Sequence, residues 1–418
     1  MILAVVKKSL LLLIVYWVLM FTAGYELSKY TSRFVLHLDD QYLVVSRNYL
    51  ALALGFFLLG VGWTLMLPKR YHVTFKTQPI KKSSFDFNLV PFFLSFLFCF
   101  LAFFATFRAV GYVPLLHSAP GAKYFQDASS IYLNYRPVYT LAMNLATAAV
   151  MALILVYFSS PNRSQRIKAL LLIGAFSFLI ALTAKRGALL LPFAYLVIGF
   201  FLIGRISYFR GFVLFSFLIL LAGLMHFYFN EGENAIVGLA NSLANSFLVG
   251  NRELARFFTN FDGEFLYGKS FLAALTSFIP TSMNDIKEMF LYPRYLIHIE
   301  GGDPDLSGGP RGTFVGEMYA NFGIVGVILG SWLFGFFIFF IFKRVARLSL
   351  FSNNHVSLGF MCAFVLHQGV LAFFENGSAF IFHFASKLVF ILILIELSRT
   401  KFKFRKKFLS ENGSLDGR

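Results

Sequence analysis

The chain has few charged residues, few cysteines and no recognisable metal or nucleotide motif. Only 14% of its 418 residues are charged, whereas soluble domains carry about 25%. Its two cysteines, Cys99 and Cys362, lie inside apolar runs, which excludes a disulfide framework and a cysteine-based metal site. No His/Cys/Glu cluster has metal-ligand spacing, and no glycine-rich phosphate loop follows a strand. We therefore expect no metal and no other cofactor.

What the chain has in abundance is apolar sequence. Hydrophobic residues make up 58% of it, in runs of about 20 residues, which is the length of a membrane-spanning helix. We predict an all-α polytopic membrane protein with about ten transmembrane helices. The predicted spans are 9–24, 43–67, 89–110, 137–158, 169–184, 188–204, 211–229, 314–342, 355–374 and 379–397. No small-residue cleavage site follows the first span, so we expect a retained helix rather than a signal peptide.

One long polar stretch, 230–316, interrupts the apolar runs. It contains ten acidic and six basic residues, and a bilayer cannot hold such a segment in its hydrocarbon. We therefore divide the chain into four regions. These are transmembrane helices 1–7 (1–229), a large loop with short interfacial helices (230–313), transmembrane helices 8–10 (314–397) and a basic cytoplasmic tail (398–418).

The formal net charge of +17 is distributed by membrane side. With ten spans, the basic connections at 69–82, 163–168, 205–210 and 343–347 fall on the same side as the basic tail. By the positive-inside rule that side is the cytoplasm, so both termini are cytoplasmic and the large loop is periplasmic or extracellular. Because these charges are topology signals and contacts for anionic lipid, we expect membrane lipids and no nucleic acid as partners.

The turn Lys185-Arg186-Gly187 breaks this charge rule, because it lies on the predicted outer side between spans five and six. Two cations there are positioned for a lipid-linked phosphate, and a planar guanidinium donates paired hydrogen bonds to phosphate oxygens. The alternative is a snorkelling pair that caps the end of span five. Other ionisable residues in or near the spans either pair with one another or serve a function. They are Arg108, Arg136, His226, His367, Glu375, His383 and Lys387.

Two short helices are predicted within the large loop. The first covers 251–258 and is capped by Asn251. Arg252 and Arg256 are four residues apart and share one face of it, which allows either a two-arginine clamp for an anion or a plain solvated face. The second short helix is predicted from about Ser282 to about Tyr292.

Span eight begins with polar residues that packing alone does not explain. Glu317, Tyr319 and Asn321 lie in its outermost turns. The small residues Gly326 and Gly330 follow four residues apart, a spacing that lets another helix approach closely.

Four features together resemble the bacterial O-antigen polymerase family, also called oligosaccharide repeat-unit polymerases. They are the Lys185-Arg186-Gly187 turn, the single large outer loop, Gly268-Lys269-Ser270 leading to Ile279-Pro280, and Thr313-Phe314-Val315-Gly316-Glu317 followed by Tyr319, Asn321, Phe322-Gly323 and Gly326.

The resemblance implies a GT-C-like helical fold in the bacterial inner membrane. It implies that oligosaccharide repeats on undecaprenyl diphosphate are joined on the outer face without a nucleotide sugar, and a chain-length regulator is a further partner to consider. For such a reaction we expect arginines to stabilise the departing diphosphate and a base to assist the acceptor hydroxyl. The expected catalytic residues are Arg186, Arg311, Glu317 and His298, and the expected substrate-binding residues are Lys185, Arg252, Arg256, Tyr319 and Asn321.

Three other functions stay open at this point. An O-antigen ligase would use the same lipid carrier and the same arginine chemistry. A transporter or flippase of lipid-linked glycan would place charges along the middle of the spans, where His367, Lys387 and Glu396 lie. A membrane scaffold would need no outward-facing arginines. Most charges lie at the predicted outer ends and in the loop, which favours an enzyme of the outer face.

Overall fold

The helical prediction is confirmed over the residues that the structure describes. The computed structural model describes 40–66, 87–117, 128–229, 252–276, 285–301, 313–345, 355–371 and 377–399, with the single positions Lys8, Leu12, Tyr25, Glu26 and Phe125. Within these residues the chain forms helices and turns and no strand.

The helices alternate with short turns. In chain order they are α1 (Asp40–Met66), α2 (Val90–Val110), α3 (Ser129–Ser159), α4 (Arg163–Leu182), α5 (Arg186–Leu202), α6 (Tyr208–Phe229), α7 (252–260), α8 (Lys269–Leu275), α9 (Asp285–Phe290), α10 (Tyr292–Ile299), α11 (Phe314–Val345), α12 (His355–Leu371) and α13 (Gly377–Arg399).

The apolar helices fit a membrane-embedded protein. In the described part of the chain, five helical stretches are long and apolar enough to cross a membrane, and three shorter apolar helices accompany them. The predicted first span, 9–24, lies almost wholly outside the described residues, so the count of ten stays a prediction.

Neighbouring helices pack through aromatic rings and close glycine contacts. The rings of Phe103 in α2 and Tyr139 in α3 are 5.3 Å apart. In α5, a Cβ added to Gly199 would lie 2.7 Å from the backbone nitrogen of Phe360 in α12, a distance that no real Cβ contact shows. The absence of a side chain at Gly199 therefore lets the two backbones touch, as small residues do between membrane helices.

The two ends of the bundle differ in charge. At one end, the Asn88 backbone N–H donates to the Ser398 carbonyl at 2.7 Å, and Lys343 donates to the Thr64 carbonyl. The basic residues of 163–168, 205–210 and 343–344 lie at this end, which we call the basic end. At the other end, Ala255 of the loop packs on Leu43 at the start of α1. We call the second end the loop end; that it faces outward stays a prediction.

Helix α11 corrects the prediction of a single straight span over 314–342. Phe322 and Gly323 leave helical geometry, with φ −141° and φ +61°. The rings of Phe314 and Phe334 are 4.8 Å apart, whereas a straight helix would separate them by about 30 Å. The chain therefore reverses, and a short arm (314–321) lies against a long arm (324–345).

The reversal also identifies the partner of the predicted small-residue face. A Cβ on Gly330 would overlap the side chain of Met318, and a Cβ on Gly326 would overlap the Met318 carbonyl. A helix does approach these glycines closely, but it is the short arm of the same hairpin. Glycine is needed at Gly323 because the turn has a positive φ.

The loop contains more helices than predicted. The first, at 252–260, agrees with the predicted 251–258. In place of one helix ending near Tyr292, the structure has Asp285–Phe290 and then a separate helix, Tyr292–Ile299. Leu291 between them is extended, and Pro293 follows in the first turn of the new helix, a position that suits proline because its missing N–H is unpaired there anyway.

Candidate functional site

A hydrogen-bonded network joins the loop to the short arm of the hairpin. The Ser270 hydroxyl donates to Glu317 Oε1 at 2.6 Å. Asn321 Nδ2 donates to Ser270 Oγ and to the Glu317 carbonyl, each at 2.7 Å. All three side chains are buried, with relative exposure of 0%. Because buried polar groups are stable only when they are paired, this network orients the Glu317 carboxylate.

The same loop segment caps the break in α11. The reversal frees the carbonyls of Ala320 and Asn321 from the helical ladder. The backbone N–H groups of Leu266 and Tyr267 donate to them at 2.8 and 3.2 Å, and the N–H of Gly268 donates to Asn321 Oδ1 at 2.8 Å. Buried carbonyls need such partners, so the turn before α8 stabilises the reversal.

Tyr292 lies directly against the carboxylate network. A Cβ on Gly316 would overlap the Tyr292 hydroxyl, so glycine at this position lets the ring reach the short arm. Burial, and next the charge of Glu317, raise the pKa of Tyr292 well above its ordinary value. Tyr292 is therefore a neutral hydroxyl beside Glu317.

Tyr319 is part of an aromatic cluster between the loop, α1 and the short arm. Its ring lies 5.0 to 6.3 Å from five others. These rings belong to Tyr49, Phe257, Phe258, Phe261 and Phe265. The cluster fixes helix α7 over the hairpin.

The two loop arginines are on one side of α7, as predicted, but both contact carboxylates. Arg252 pairs with Glu253 at 2.8 Å, and Arg256 pairs with Glu253 at 3.5 Å and with Glu300 at 2.7 Å. Burial raises the pKa of Glu300, and the positive charge of Arg256 partly offsets this effect. Because the Arg256 guanidinium lies 2.7 Å from the Glu300 carboxylate, we take both side chains to be ionised. Together the four side chains form an ion-pair network that joins α7 to the end of α10.

The Lys185 turn has a different environment. Lys185 Nζ lies 4.9 Å from the centre of the Tyr139 ring, a cation–π distance. Burial, and next the charge of Arg136, lower the pKa of Lys185 to about 8. Lys185 is half-buried and Arg136 is exposed. Among the described residues, the ion pairs with carboxylates involve neither of them. Two neighbouring cations that no described carboxylate neutralises attract an anion.

The backbone holds Lys185 in place. Ala184 before it has a φ of +56°, in the left-handed region that costs about 1 kcal/mol or more for a residue with a Cβ. The Lys185 N–H donates to Thr183 Oγ1 at 3.4 Å. This strained turn ends α4 and directs the lysine toward α3, and strain of this kind concentrates at functional sites.

The remaining predicted site residues have other positions. Arg186 begins α5, and its side chain lies outside the description. Arg311 also lies outside the described residues. His298 is exposed in the last turn of α10. The structure thus brings Glu317, Tyr319, Asn321, Arg252 and Arg256 to one region of the loop end and places Lys185 in a second cluster; their roles stay predictions.

Four residues of this region were not predicted from the sequence as site residues. Glu253, Ser270, Tyr292 and Glu300 complete the two networks. Ser270 lies in the Gly268-Lys269-Ser270 segment, which is part of the resemblance to O-antigen polymerases. Glu300 is 44 residues from Arg256, and no spacing rule connects these two residues. Among the described residues, no group of three or more His, Cys, Asp or Glu side chains could hold a metal ion.

A scan against protein-family models, a search of curated proteins and a search of solved structures each found no match to this chain.

Proposed function

We propose that the chain is a membrane glycosyltransferase that polymerises oligosaccharide repeat units carried on undecaprenyl diphosphate. Its product would be a surface polysaccharide such as O-antigen, capsule or exopolysaccharide, made on the outer face of a bacterial inner membrane. The proposal rests on the resemblance of the sequence to O-antigen polymerases and on the chemistry of the loop end.

One observation carries the proposal. Lys185 lies at the loop end with its ammonium 4.9 Å from the centre of the Tyr139 ring, and the positive charge of Arg136 acts on it. The other basic connections of the described chain lie at the opposite end and serve as topology signals. A diphosphate at the membrane surface would supply the negative charge that this pair lacks, and half-burial of Lys185 strengthens the attraction.

The proposed reaction moves a glycosyl group between two oxygens. The bond from the sugar C1 to the diphosphate oxygen breaks, and C1 bonds to a hydroxyl oxygen of the acceptor repeat. The hydroxyl proton leaves to a base, and undecaprenyl diphosphate departs with the electron pair of the broken bond. Fixed cations at the departing diphosphate lower the barrier without reorganising. In this scheme the cations that stabilise the departing diphosphate are Lys185, Arg136, Arg186 and Arg311.

Two residues are candidates for the base. Glu317 has an oriented carboxylate but is fully buried, so the acceptor must reach it past Ser270 and Tyr292. His298 is exposed and accessible to a large substrate. Arg252 and Arg256 bind an anion only if it displaces Glu253 or Glu300, which makes them secondary in the scheme.

A ligase that transfers the finished glycan to another acceptor uses the same features and is the nearest alternative. A transporter of lipid-linked glycan is favoured by a different observation, the buried contacts of Tyr195 with His367 and Gln368 between α5 and α12. Polar groups inside a helical bundle are typical of transport pathways.

The test is deletion of the gene in its host, followed by electrophoresis of the surface glycan. Collapse of a polymer ladder to a single repeat supports the polymerase. Loss of all attached glycan, with full-length polymer left on its lipid, means a ligase. Accumulation of single repeats on the cytoplasmic face means a transporter. Complementation with Lys185→Met, and with Lys168→Met at the basic end as its control, then tests the cation pair.

A further inference from the structure

Helix α8 has an apolar exposed face, although it belongs to the large polar loop. Ser270, Ala273 and Ala274 on its other face are buried. Leu272 and Leu275 are 46% and 59% exposed. A contiguous apolar surface on the outside of a protein marks a place where another apolar body binds. The structure indicates what that body is, because the apolar face of α8 does not end with α8.

The apolar face of α8 continues onto the long arm of α11. The ring of Phe271 in α8 stacks on the ring of Phe322 at the hairpin turn, 6.3 Å away. Beyond the turn, large exposed apolar side chains recur every four residues and therefore share one face of the long arm. They are Val325, Leu329, Leu333 and Phe337. The stretch that contains this arm is long and apolar enough to cross a membrane, so α8 extends a surface that faces lipid.

The basic end sets the depth of the hairpin in the bilayer. Lys343 and Arg344 lie in the last turn of the long arm, at that end. The residues from Ile324 to Lys343 span about 30 Å, which is the thickness of the hydrocarbon. The turn at Phe322–Gly323 therefore lies at the opposite edge of the hydrocarbon. Since the short arm runs back from the turn beside the long arm, Glu317 lies about 9 Å inside that edge.

Helix α8 lies at the depth of the short arm. The Ser270 hydroxyl donates to Glu317 Oε1 at 2.6 Å, so the two residues are at nearly the same level. The charges around α8 agree with this depth. Asp262 and Glu264 are exposed before the helix begins, and α8 has a single charged residue, Lys269, at its first position. A lysine near the hydrocarbon edge can extend its ammonium to the headgroups.

The backbone of this region is suited to surroundings without water. Non-helical backbone is tolerated at membrane depth only where the protein itself pairs its polar groups. The N–H groups of Leu266 and Tyr267 donate to the two carbonyls that the break in α11 frees, at 2.8 and 3.2 Å. A carboxylate at this depth is costly, and the Glu317 carboxylate accepts a hydrogen bond from Ser270.

We propose that α8 and the short arm of α11 form a re-entrant unit, which enters the bilayer from the loop end and leaves by the same side. The partner of the exposed face of α8 is the acyl chains of the leaflet at that end. The loop is therefore not wholly outside the hydrocarbon, as its polar composition predicts. The inference does not depend on the proposed glycosyl transfer, because it uses only the membrane character and the geometry of the chain.

The experiment measures what surrounds the face of α8. The full chain, with its two buried cysteines replaced by alanine, is placed in phosphatidylcholine nanodiscs at one copy per disc. A nitroxide label is attached to Leu272→Cys or Leu275→Cys, and to two references. Leu329→Cys marks the lipid-facing stripe, and Glu264→Cys marks water. Relaxation of the label by oxygen, which enters hydrocarbon, is compared with relaxation by a polar nickel chelate, which does not.

We expect both labels on α8 to resemble the Leu329 label. Their ratio of oxygen to nickel relaxation should exceed that of the Glu264 label on the order of tenfold, because the polar chelate is excluded from hydrocarbon. Efficient relaxation of both α8 labels by the nickel chelate would overturn the proposal, since the face would then be in water. Protection from both reagents would also overturn it, since another part of this chain would then cover the face.

A second measurement needs no label. Leu272→Asp in the otherwise unchanged chain is expected to lower the thermal unfolding midpoint in nanodiscs by several degrees, because it places a carboxyl at membrane depth. Thr259→Asp, at an exposed position of α7, adds the same group in water and is expected to leave the midpoint almost unchanged. Equal midpoints for the two variants would contradict insertion of α8.

Discussion

Two groups of cations at the loop end differ in what surrounds them. Arg252 and Arg256 contact the carboxylates of Glu253 and Glu300, whereas Lys185 lies beside Arg136 and a tyrosine ring. Cationic side chains therefore have different roles at the two positions. The arginines join two loop helices, whereas the lysine turn makes no ion pair with the carboxylates of the described residues. Neighbouring carboxylates, more than the number of cations, decide where an anion is expected to bind.

The largest effect is expected from removing the charge of the lysine turn. If the chain catalyses the proposed glycosyl transfer, Lys185→Met should lower its rate on the order of 100-fold, the usual loss when one group that stabilises a developing oxyanion is removed. The measurement is the rate of polymer formation on lipid-linked repeats in reconstituted membranes. Lys168→Met is the matched control; an equal loss in both variants would show that the position of the charge is irrelevant.

The next effect concerns the carboxylate that the two arginines share. Glu253→Gln should lower the free energy of unfolding by about 1–2 kcal/mol, because charge-assisted bonds to a buried carboxylate are lost. It should leave the affinity of the Lys185 turn for inorganic phosphate unchanged. Denaturant titration and phosphate binding on the same samples separate the two properties. A marked gain in phosphate affinity would mean that the arginines are the anion clamp and that the comparison is wrong.

A pH dependence should distinguish the lysine turn from the arginine network. The pKa of Lys185 is lowered to about 8, so its charge is present below that pH and is lost as the pH rises through it. Between pH 7 and 9 the protonated fraction falls about tenfold, and anion binding at the turn should fall with it, as measured by phosphate titration. Lys185→Arg should remove this dependence, and a pH profile that Lys185→Arg does not change would assign it to another group.

The smallest effect is expected for one outer pair of the network. A double-mutant cycle of Arg256→Met and Glu300→Gln should give a coupling of about 0.5–1 kcal/mol, since the arginine is 30% exposed and water screens the pair. Denaturant unfolding of the two single variants and the double variant measures it. A coupling near zero would leave Glu253 as the sole carboxylate that matters to Arg256.

The sequence predicts local helices well where capping and spacing are local. The helix predicted at 251–258 is present at 252–260, because an i,i+4 face is encoded within a few positions. The predicted cap, Asn251, lies outside the described residues. The reversal of α11 was not predicted, since Gly323 is one of several glycines in this stretch and the apolar run that follows it is long enough to extend the same helix. The split at Leu291 could have been expected from Pro293, which favours a helix start.

The sequence by itself determined the membrane character of the chain, its helical class and the concentration of basic connections at one end. These properties follow from composition and from the length of apolar runs, which must match the thickness of a bilayer. Only the tertiary structure decided which cations are paired, that Glu317 is held by Ser270 and Asn321, and that the start of span eight turns back on itself. Those contacts join residues distant in sequence, and their free energy depends on burial and geometry that exist only in the folded chain.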